Sequence, residues 1–307
     1  MKGISMTETF IQAVREAAGS AAVFENERMD RHTTFRIGGP ADLFVCPEHT
    51  EQIIKVLQLC RDGEVPCFIL GNGSNLLVSD AGYRGVILQL DQNYQDCRRE
   101  DDRFIVKSGM LLAKLAAMAR EAAYTGLEFA SGIPGTVGGA VTMNAGAYGG
   151  EIKQRLVSSR ILTKDLEVRD IETAGLELGY RHSRVMEEDW IVLEAVFRLA
   201  SGKEEEISAR MADFREQRTA KQPLEYPSAG STFKRPEGYF AGKLIMDAGL
   251  AGFMVGDAQV SEKHCGFVIN RGQATAEDVF SLIDTVRETV LQKFGVLLEP
   301  EVRFLGF

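Results

Sequence analysis

The stretch from Ser131 to Gly150 consists mostly of small, uncharged residues. It reads SGIPGTVGGAVTMNAGAYGG, with seven glycines and no charged side chain. Flexible linkers are usually rich in Ser, Thr or Gln, whereas this stretch contains Ile, Val and Met. A core strand would carry more side-chain volume. The composition therefore predicts a loop pressed against something large and flat, with backbone amides making the contacts.

A second glycine loop, GNGSN, directly follows a strand-like run. Gly71 and Gly73 permit positive φ angles and leave the approach free of Cβ atoms, so consecutive amides can form an anion-binding nest. Ser74 and Asn75 can add side-chain donors. Alone, this loop fits a tight turn after a strand equally well. Together with the first stretch it predicts a ligand with a flat ring system and a diphosphate, and flavin adenine dinucleotide (FAD) meets that description.

Neither loop matches the common nucleotide-binding patterns. A Rossmann-type site needs a glycine fingerprint between a strand and a helix, with an acidic residue about 20 positions further on. A phosphate loop needs to end in G-K-[ST]. The sequence has neither pattern at these loops, so we expect FAD to be held by a different fold.

Composition narrows the class of protein. The chain has 307 residues, which predicts two or three lobes, and its net charge of -9 argues against nucleic acid as the main partner. No apolar stretch approaches the ~18 residues of a spanning helix, and the N-terminus lacks a signal-peptide core. The five cysteines show no C-x-x-C pair, as expected for reduced thiols. We expect a cytoplasmic protein with no metal site, no nucleic acid or membrane partner and no obligate protein partner.

Helical periodicity and strand-like runs alternate along the chain. Thr50 and Thr275 are the predicted N-caps of the first and last helices, and Asp278 forms a capping box with Thr275. Gly126 is predicted to end the second helix. The helical segments are residues 50–62, 111–126, 201–222 and 275–295, and the strand-like runs are 65–70, 85–90, 103–109, 156–163, 166–172, 190–200 and 296–307.

Seven segments, taken in order, resemble the UDP-N-acetylenolpyruvoylglucosamine reductases. They span roughly residues 31–305 without a large gap and are TTFRIGGPADLFV, LGNGSNLLVSD, SGIPGTVGGAVTMNAGAYGGEI, YRHSRV, AGSTFKRP, GLAGFMVGDAQVSEKHCGFVIN and LEPEVRFLG. The resemblance implies an α+β fold: a two-lobed FAD-binding region of the vanillyl-alcohol-oxidase (PCMH) type, with the flavin between its lobes, and a separate α+β substrate-binding domain. It also implies a role in peptidoglycan precursor synthesis.

The resemblance implies a division of the chain as well. The FAD-binding region would cover residues 1–202, with lobes of about 1–90 and 91–202. The substrate-binding domain would cover residues 203–295. Residues 296–307 would form a C-terminal strand that returns toward the FAD-binding region and the active site.

The implied reaction reduces UDP-N-acetylglucosamine enolpyruvate to UDP-N-acetylmuramate. NADPH gives a hydride to flavin N5, which passes it to C3 of the enolpyruvyl group. By the motif Y-R-x-S, Arg181 would stabilise the charge that develops on the carboxylate. By A-G-S-x-F-K, Ser231 would protonate C2. By E-x-E-V-R, Glu301 is the third catalytic residue, with Glu299 as the nearer alternative; a carboxyl in an apolar strand must be paired, neutral or functional.

The expected binding residues lie mainly in the two glycine loops and near Ser231. The expected FAD contacts are Arg36, Gly71, Asn72, Gly73, Ser74, Asn75, Leu76, Ile133, Pro134, Gly135, Thr136, Gly138, Gly139, Ala140, Asn144, Ala147 and Gly149. Lys221, Lys234 and Arg235 are the expected diphosphate contacts. One branch of the family has an extra loop with a gating tyrosine after Y-R-x-S. Only eight residues separate Arg181 from Trp190 here, so we expect the shorter branch without it.

Two other functions fit part of the sequence. An FAD-dependent oxidase of the same fold would act on an alcohol or sugar and consume O₂. A regulatory module could bind the nucleotide and cofactor without turning them over. The A-G-S-x-F-K and E-x-E-V-R motifs argue against the oxidase, and the presence of all three implied catalytic residues argues against the regulatory module.

Overall fold

The computed structural model describes residues 6–307, which divide into two compact units. The first unit contains the described residues up to Glu25, with Leu43–Asn72 and Gly85–Arg218. The second contains Asn26–Asp42, Gly73–Arg84 and Thr219–Phe307. Both units therefore collect segments that are distant in sequence. The three consecutive parts implied by the resemblance are a functional division, and they stay a prediction.

Within residues 6–307 there are eight α-helices. They are α1 (Glu8–Ala18), α2 (Thr50–Asp62), α3 (Leu112–Glu121), α4 (Val137–Thr142), α5 (Arg184–Glu187), α6 (Glu204–Lys221), α7 (Ala241–Asp247) and α8 (Ala276–Phe294). The strands are β1 (Val23–Arg28), β2 (Pro40–Val45), β3 (Cys67–Leu70), β4 (Leu76–Val78), β5 (Tyr83–Gln89), β6 (Cys97–Glu100), β7 (Arg103–Lys107), β8 (Tyr124–Thr125), β9 (Gly146–Ala147), β10 (Gly150–Glu151), β11 (Leu156–Leu162), β12 (Val168–Glu172), β13 (Ile191–Arg198), β14 (Ala200–Ser201), β15 (Ser228–Ser231), β16 (Met254–Val255), β17 (Ala258–Val260), β18 (Phe267–Asn270) and β19 (Arg303–Leu305).

Two sheets organise the first unit. One has the strand order β1-β2-β5-β3, with β3 and β5 parallel, and the other is antiparallel with the order β12-β11-β13-β7-β6. Helices α1 and α2 bury residues such as Val14 and Ile53 in one hydrophobic core. Helices α3 and α4 bury residues such as Leu115 and Val141 in a second core, beside β11, β13 and β7. The helical part of the glycine-rich stretch, α4, is therefore packed into a hydrophobic core.

Two predicted helix boundaries are wrong. The N-cap of α2 is His49, whose backbone N–H donates to Gln52 Oε1 at 3.0 Å, while the Thr50 hydroxyl pairs with the Tyr94 hydroxyl at 2.8 Å. Helix α3 ends at Glu121 rather than at Gly126, because Ala123 takes a left-handed conformation (φ 58°) and the chain continues into β8. Tertiary pairing decides the second boundary, since β8 pairs with β14.

A buried carboxylate anchors helix α6 within the first unit. Ile207 is buried, and Glu128, 7% exposed, accepts hydrogen bonds from Thr125 Oγ1 (2.6 Å), the Gly126 backbone N–H (2.7 Å) and Arg210 Nη2 (2.6 Å). Burial alone would raise the pKa of Glu128, but these hydrogen bonds outweigh burial and hold it below its ordinary value. Glu128 is therefore ionised at neutral pH and fixes the start of α6.

Glu128→Gln is expected to lower the free energy of unfolding by about 1–3 kcal/mol at pH 7, because charged hydrogen bonds are lost. A lowered pKa gives stability that is complete above the unfolded-state value of about 4.3 and is lost as the pH falls through the folded-state value. The difference in the free energy of unfolding between the unchanged protein and Glu128→Gln should therefore shrink below about pH 4. Urea unfolding at several pH values measures this free energy for both proteins. The exposed Glu205→Gln in the same helix is the control, and an equal effect of both changes would contradict the prediction.

The second unit is built on the antiparallel sheet β15-β18-β17-β16 and helices α7 and α8. The predicted capping box of α8 is confirmed: the Asp278 backbone N–H donates to Thr275 Oγ1 at 3.0 Å, and the Thr275 N–H donates to Asp278 Oδ2 at 2.9 Å. Helical spacing predicts one apolar stripe that includes Val279, Leu282 and Phe294. Val279 and Leu282 are buried, whereas Phe294 is 40% exposed. The core of this unit also contains Phe35, far away in sequence.

The C-terminal segment is less regular than the sequence predicts. Only Arg303–Leu305 of the strand expected over 296–307 is a strand, and it pairs in parallel with β4. Arg303 stands opposite Leu76, and Leu305 opposite Val78. No helix in the described part of the chain combines the length and hydropathy needed to cross a bilayer.

Candidate active site

Parts of both glycine loops lie side by side in the first unit. Asn72 Nδ2 donates to the Pro134 carbonyl at 2.5 Å. A Cβ on Gly71 would lie 2.6 Å from Thr136 Oγ1, so only glycine permits this approach. The sequence predicts that these two loops bind one cofactor. Within this unit they are close enough to contact the same ligand.

The glycine-rich stretch is partly helical, which the loop prediction misses. Thr136 is the N-cap of α4, and its Oγ1 accepts from the Gly139 N–H at 3.3 Å. The last turn leads to the β9–β10 hairpin, whose tip is Tyr148 and Gly149, both with positive φ. The Tyr148 ring stacks on Phe214 of α6, with centroids 4.6 Å apart. The stretch is therefore a folded scaffold with many small residues at its surface.

Adjacent glycines in α4 have different surroundings. A Cβ on Gly138 would lie 2.8 Å from Ser108 Cβ, so this residue is small because the protein packs against it. A Cβ on Gly139 would come no closer than 3.6 Å to another group of the chain, at Thr136 Oγ1, and Gly139 is exposed. The chain itself does not require glycine there. A flat group resting on the backbone would, and this fits FAD.

Gly139→Val is expected to weaken FAD retention at least about tenfold, because the side chain occupies the space of the ligand, which costs about 1.4 kcal/mol or more. The ratio of flavin absorbance to protein after gel filtration measures retention, and thermal unfolding of the apoprotein measures stability.

Gly138→Ala is the matched comparison for Gly139→Val. It should mainly destabilise the fold, by roughly 1–3 kcal/mol, because the added methyl overpacks Ser108. Full FAD occupancy in folded Gly139→Val protein would count against the cofactor site.

Predicted FAD contacts also lie together within the second unit. The turn at Arg36 (φ 55°) closes with a 3.1 Å hydrogen bond from its N–H to the Thr33 carbonyl. The Gly73 carbonyl accepts from the Thr34 N–H at 3.2 Å, which brings the second half of GNGSN to this turn. A Cβ on Gly73 would lie 2.0 Å from the His32 carbonyl oxygen, so glycine is required.

Two of the predicted FAD contacts have buried side chains that a ligand could hardly reach. Ala140 is 3% exposed and packs in the core of the first unit, so its backbone is the part that a ligand could reach. Leu76 is buried in β4, where it pairs with Arg303. Ile133, Gly135 and Ala147 are half-buried.

Arg181 stands at the tip of a tight turn in the first unit. A bridge between Gly179 and His182 closes the turn, with Gly179 N–H donating to the His182 carbonyl at 3.0 Å. Arg181 has a φ of 53°, and its guanidinium lies 5.2 Å from the Tyr180 ring centroid. The turn presents a half-buried arginine in a conformation that non-glycine residues rarely adopt.

Ser231 and Glu301 lie on neighbouring segments of the second unit. Ser231 ends β15 and is exposed. The next residue, Thr232, accepts a 2.8 Å hydrogen bond at its carbonyl from the Glu301 N–H. Asn75 Nδ2 donates to the Glu301 carbonyl at 3.0 Å. This unit therefore brings together Ser231, Glu301 and the end of the first glycine loop.

The predicted cations near Ser231 differ in their surroundings. Lys234 forms an ion pair with Glu299, the alternative to Glu301. The Arg235 guanidinium lies 3.9 Å from the Phe240 ring centroid. Lys221 is exposed at the end of α6.

Arg218 is a candidate residue that the sequence reasoning passed over. Its side chain lies against Gly132, where a Cβ would be 3.1 Å from Arg218 Cδ. Burial lowers its pKa, with a smaller opposing effect from Tyr148. No carboxylate among residues 6–307 forms an ion pair with it. The sequence contained a signal for it: Arg218 continues the helical spacing of Ile207, Met211 and Phe214. A cation on that apolar face of α6 needs a reason.

Among residues 6–307, no group of three or more His, Cys, Asp or Glu side chains is arranged to hold a metal ion. The five cysteines are all free thiols.

Comparisons with known proteins agree with this architecture. Residues 41–172 match a family model described as FAD binding domain. Alkyldihydroxyacetonephosphate synthase has a similar fold, with a TM-score of 0.50 and 16% identity over 66% of this chain and 42% of its own. The predicted fold class, a PCMH-type FAD-binding region with a further α+β domain, is confirmed.

More similar proteins identify the family. Residues 222–305 match the model of the UDP-N-acetylenolpyruvoylglucosamine reductase C-terminal domain. Reductases of that name from Agathobacter rectalis and Lachnoclostridium phytofermentans are 53% and 50% identical, over 98% of this chain and 99% and 98% of theirs. The crystal structure of the reductase (MurB) from Thermus caldophilus has a TM-score of 0.78 and 36% identity, over 91% of this chain and 97% of its own. The chain therefore belongs to the UDP-N-acetylenolpyruvoylglucosamine reductase family.

Proposed function

We propose that this chain uses NADPH and FAD to reduce UDP-N-acetylglucosamine enolpyruvate to UDP-N-acetylmuramate, a step of peptidoglycan precursor synthesis. The observation that carries the proposal is the 53% identity to a reductase of that name over nearly the whole of both chains. When bound, FAD supplies to C3 of the enolpyruvyl group the hydride that NADPH provides. Gly139 and the loop around Gly71 and Asn72 would hold the cofactor through their backbones.

Arg181 is the group that we assign to the substrate carboxylate. Hydride addition at C3 drives negative charge through C2 onto that carboxylate. A guanidinium stays charged at any working pH and can bind both carboxylate oxygens at once. Its interaction strengthens as charge develops, which is the condition for accelerating the step. The tight turn that presents Arg181 supports this role.

Ser231 is the group that we assign to protonation of C2. A hydroxyl is a weak acid, but the enolate that it faces is strongly basic, so the transfer is feasible. Ser231 is exposed at the end of β15, whereas the neighbouring Thr232 hydroxyl is buried and accepts a hydrogen bond from the Val268 N–H at 2.9 Å. Of the two adjacent hydroxyls, Ser231 is the one available to a substrate.

Glu301 is the third proposed catalytic residue. Its backbone is fixed on both sides, by Thr232 and by Asn75, and its side chain is half-buried. A protonated Glu301 would donate a hydrogen bond to the enolate carboxylate.

Cationic side chains would bind the phosphates of the substrate and of NADPH. We assign Lys221, Lys234 and Arg235 to the diphosphate. The compartment in which UDP-linked precursors and NADPH occur is the cytoplasm, and we place the protein there. No observation favours the oxidase of alcohols or sugars.

Anaerobic stopped-flow absorbance near 450 nm tests the proposal. The purified yellow protein is bleached with NADPH and then mixed with UDP-N-acetylglucosamine enolpyruvate. Rapid return of the absorbance would establish the electron acceptor and a ping-pong order together. Folded protein that stays bleached would overturn the substrate assignment, and protein that binds no FAD would overturn the cofactor.

A further inference from the structure

The turn that carries Arg181 is fastened at its first residue by Asn144. Asn144 is 1% exposed and has a φ of 42°. Its Nδ2 donates to the Gly179 carbonyl at 2.9 Å and to Glu151 Oε2 at 3.2 Å, and its Oδ1 accepts from the Lys153 N–H at 3.0 Å. Both donors of the amide are used within the protein. The side chain is therefore committed to this turn rather than to a ligand, and only its backbone remains for the predicted FAD contact.

The same turn is fastened at its other side by Ser183. Ser183 has no exposed surface, and its hydroxyl donates to the Thr142 carbonyl at 2.6 Å. It also accepts from the Met186 N–H at 3.3 Å as the N-cap of α5. Thr142 is the last residue of α4. Two independent hydrogen bonds thus join the flanks of Arg181 to the end of α4.

The charged groups near the Arg181 turn include the carboxylate of Glu151. Lys153 most strongly, then Asn144 and Arg181, lower the pKa of Glu151 against the opposing effect of burial. Glu151 is therefore an anion within electrostatic reach of Arg181, and the Asn144 amide holds this carboxylate while it holds the turn. A left-handed arginine persists only where its surroundings fix it.

We propose that Asn144 and Ser183 are positioning residues that fasten the Arg181 turn to α4, whose first turn carries the proposed flavin contact Gly139. The distance between the arginine and the flavin-binding backbone is then set by one short helix. This inference rests on the catalytic role proposed for Arg181. A displacement of about 1 Å in such a group can cost on the order of 10²-fold in rate.

A double-mutant cycle tests the proposal. Asn144→Gly removes the amide and accepts the positive φ without strain. We expect it to retain FAD and to be bleached by NADPH at close to the normal rate. Reoxidation by UDP-N-acetylglucosamine enolpyruvate should slow by roughly 10–100-fold at saturating substrate. In an Arg181→Met background, the same change should slow reoxidation by no more than about twofold, because the group that it positions is gone.

The outcomes of this cycle distinguish the positioning role of Asn144 and Ser183 from the catalytic role of Arg181. If Arg181→Met is slow and Asn144→Gly is normal, or if the two losses multiply in the double variant, the positioning proposal is overturned and the role of Arg181 stands. If Arg181→Met reoxidises normally, both fall. Ser183→Ala, which leaves the positive-φ residues unchanged, serves as the second variant if Asn144→Gly fails to fold. The same cycle applies to it, with multiplying losses again overturning the proposal.

Discussion

Arg181→Met is expected to slow reoxidation of the reduced enzyme by UDP-N-acetylglucosamine enolpyruvate by roughly 10²–10³-fold. Methionine keeps much of the side-chain length but cannot stabilise the charge that develops on the substrate carboxylate. Bleaching by NADPH does not create that charge, so its rate should change little. Anaerobic stopped flow measures the two half-reactions separately.

Arg184→Met is the matched control for this prediction. Arg184 follows closely in the chain, lies 4.9 Å from the Trp190 ring centroid and pairs with Glu188 at 3.6 Å. Losing it removes a cation from the same region without touching the Arg181 turn. Equal slowing by both variants would indicate a general electrostatic effect and would contradict the assignment of Arg181.

Ser231→Ala is expected to slow the same half-reaction by about 10²–10⁴-fold, the range for losing a general acid. The residue is exposed, so we expect stability within about 0.5 kcal/mol of the unchanged protein. FAD content and bleaching by NADPH should also be preserved. The measurement is the reoxidation rate at saturating substrate, combined with thermal unfolding.

Thr232→Val, at the adjacent residue, should have the opposite effect to Ser231→Ala: lower stability with a near-normal reoxidation rate. It removes the acceptor of the buried Val268 N–H and should cost about 1–3 kcal/mol of stability. The reoxidation rate per folded, FAD-loaded molecule should stay near normal. Reoxidation of Ser231→Ala within a few-fold of the unchanged enzyme would mean that another acid protonates C2.

Local sequence patterns predict much of the secondary structure. The hairpin of β11 and β12 follows from two β-rich runs joined by Lys164 and Asp165, and α8 follows from its capping box and apolar stripe. The predictions fail where pairing with a segment distant in sequence determines the structure. The α3 boundary depends on pairing between β8 and β14, which no local pattern reveals.

The candidate site was only partly predictable for the same reason. The small, uncharged residues of the glycine-rich stretch indicate a ligand, and the motif resemblance supplies Arg181, Ser231 and Glu301. What surrounds them depends on contacts across long stretches of chain, such as the hydrogen bond from Asn75 to Glu301. The internal use of the Asn144 amide could not be deduced either, since an asparagine in a glycine-rich loop resembles a ligand contact.

The parallel pairing of β4 with β19 has a consequence for synthesis on the ribosome. Leu76–Val78 is translated early, but its partner Arg303–Leu305 emerges roughly 230 residues later, on the order of 10–50 s at ~5–20 residues per second. During that interval the strand and the apolar Phe35 and Leu77 lack the C-terminal residues with which they form a core. The second unit therefore completes its folding only after residues 303–305 have been made, and a chain that stops before Arg303 leaves Leu76–Val78 without its parallel partner.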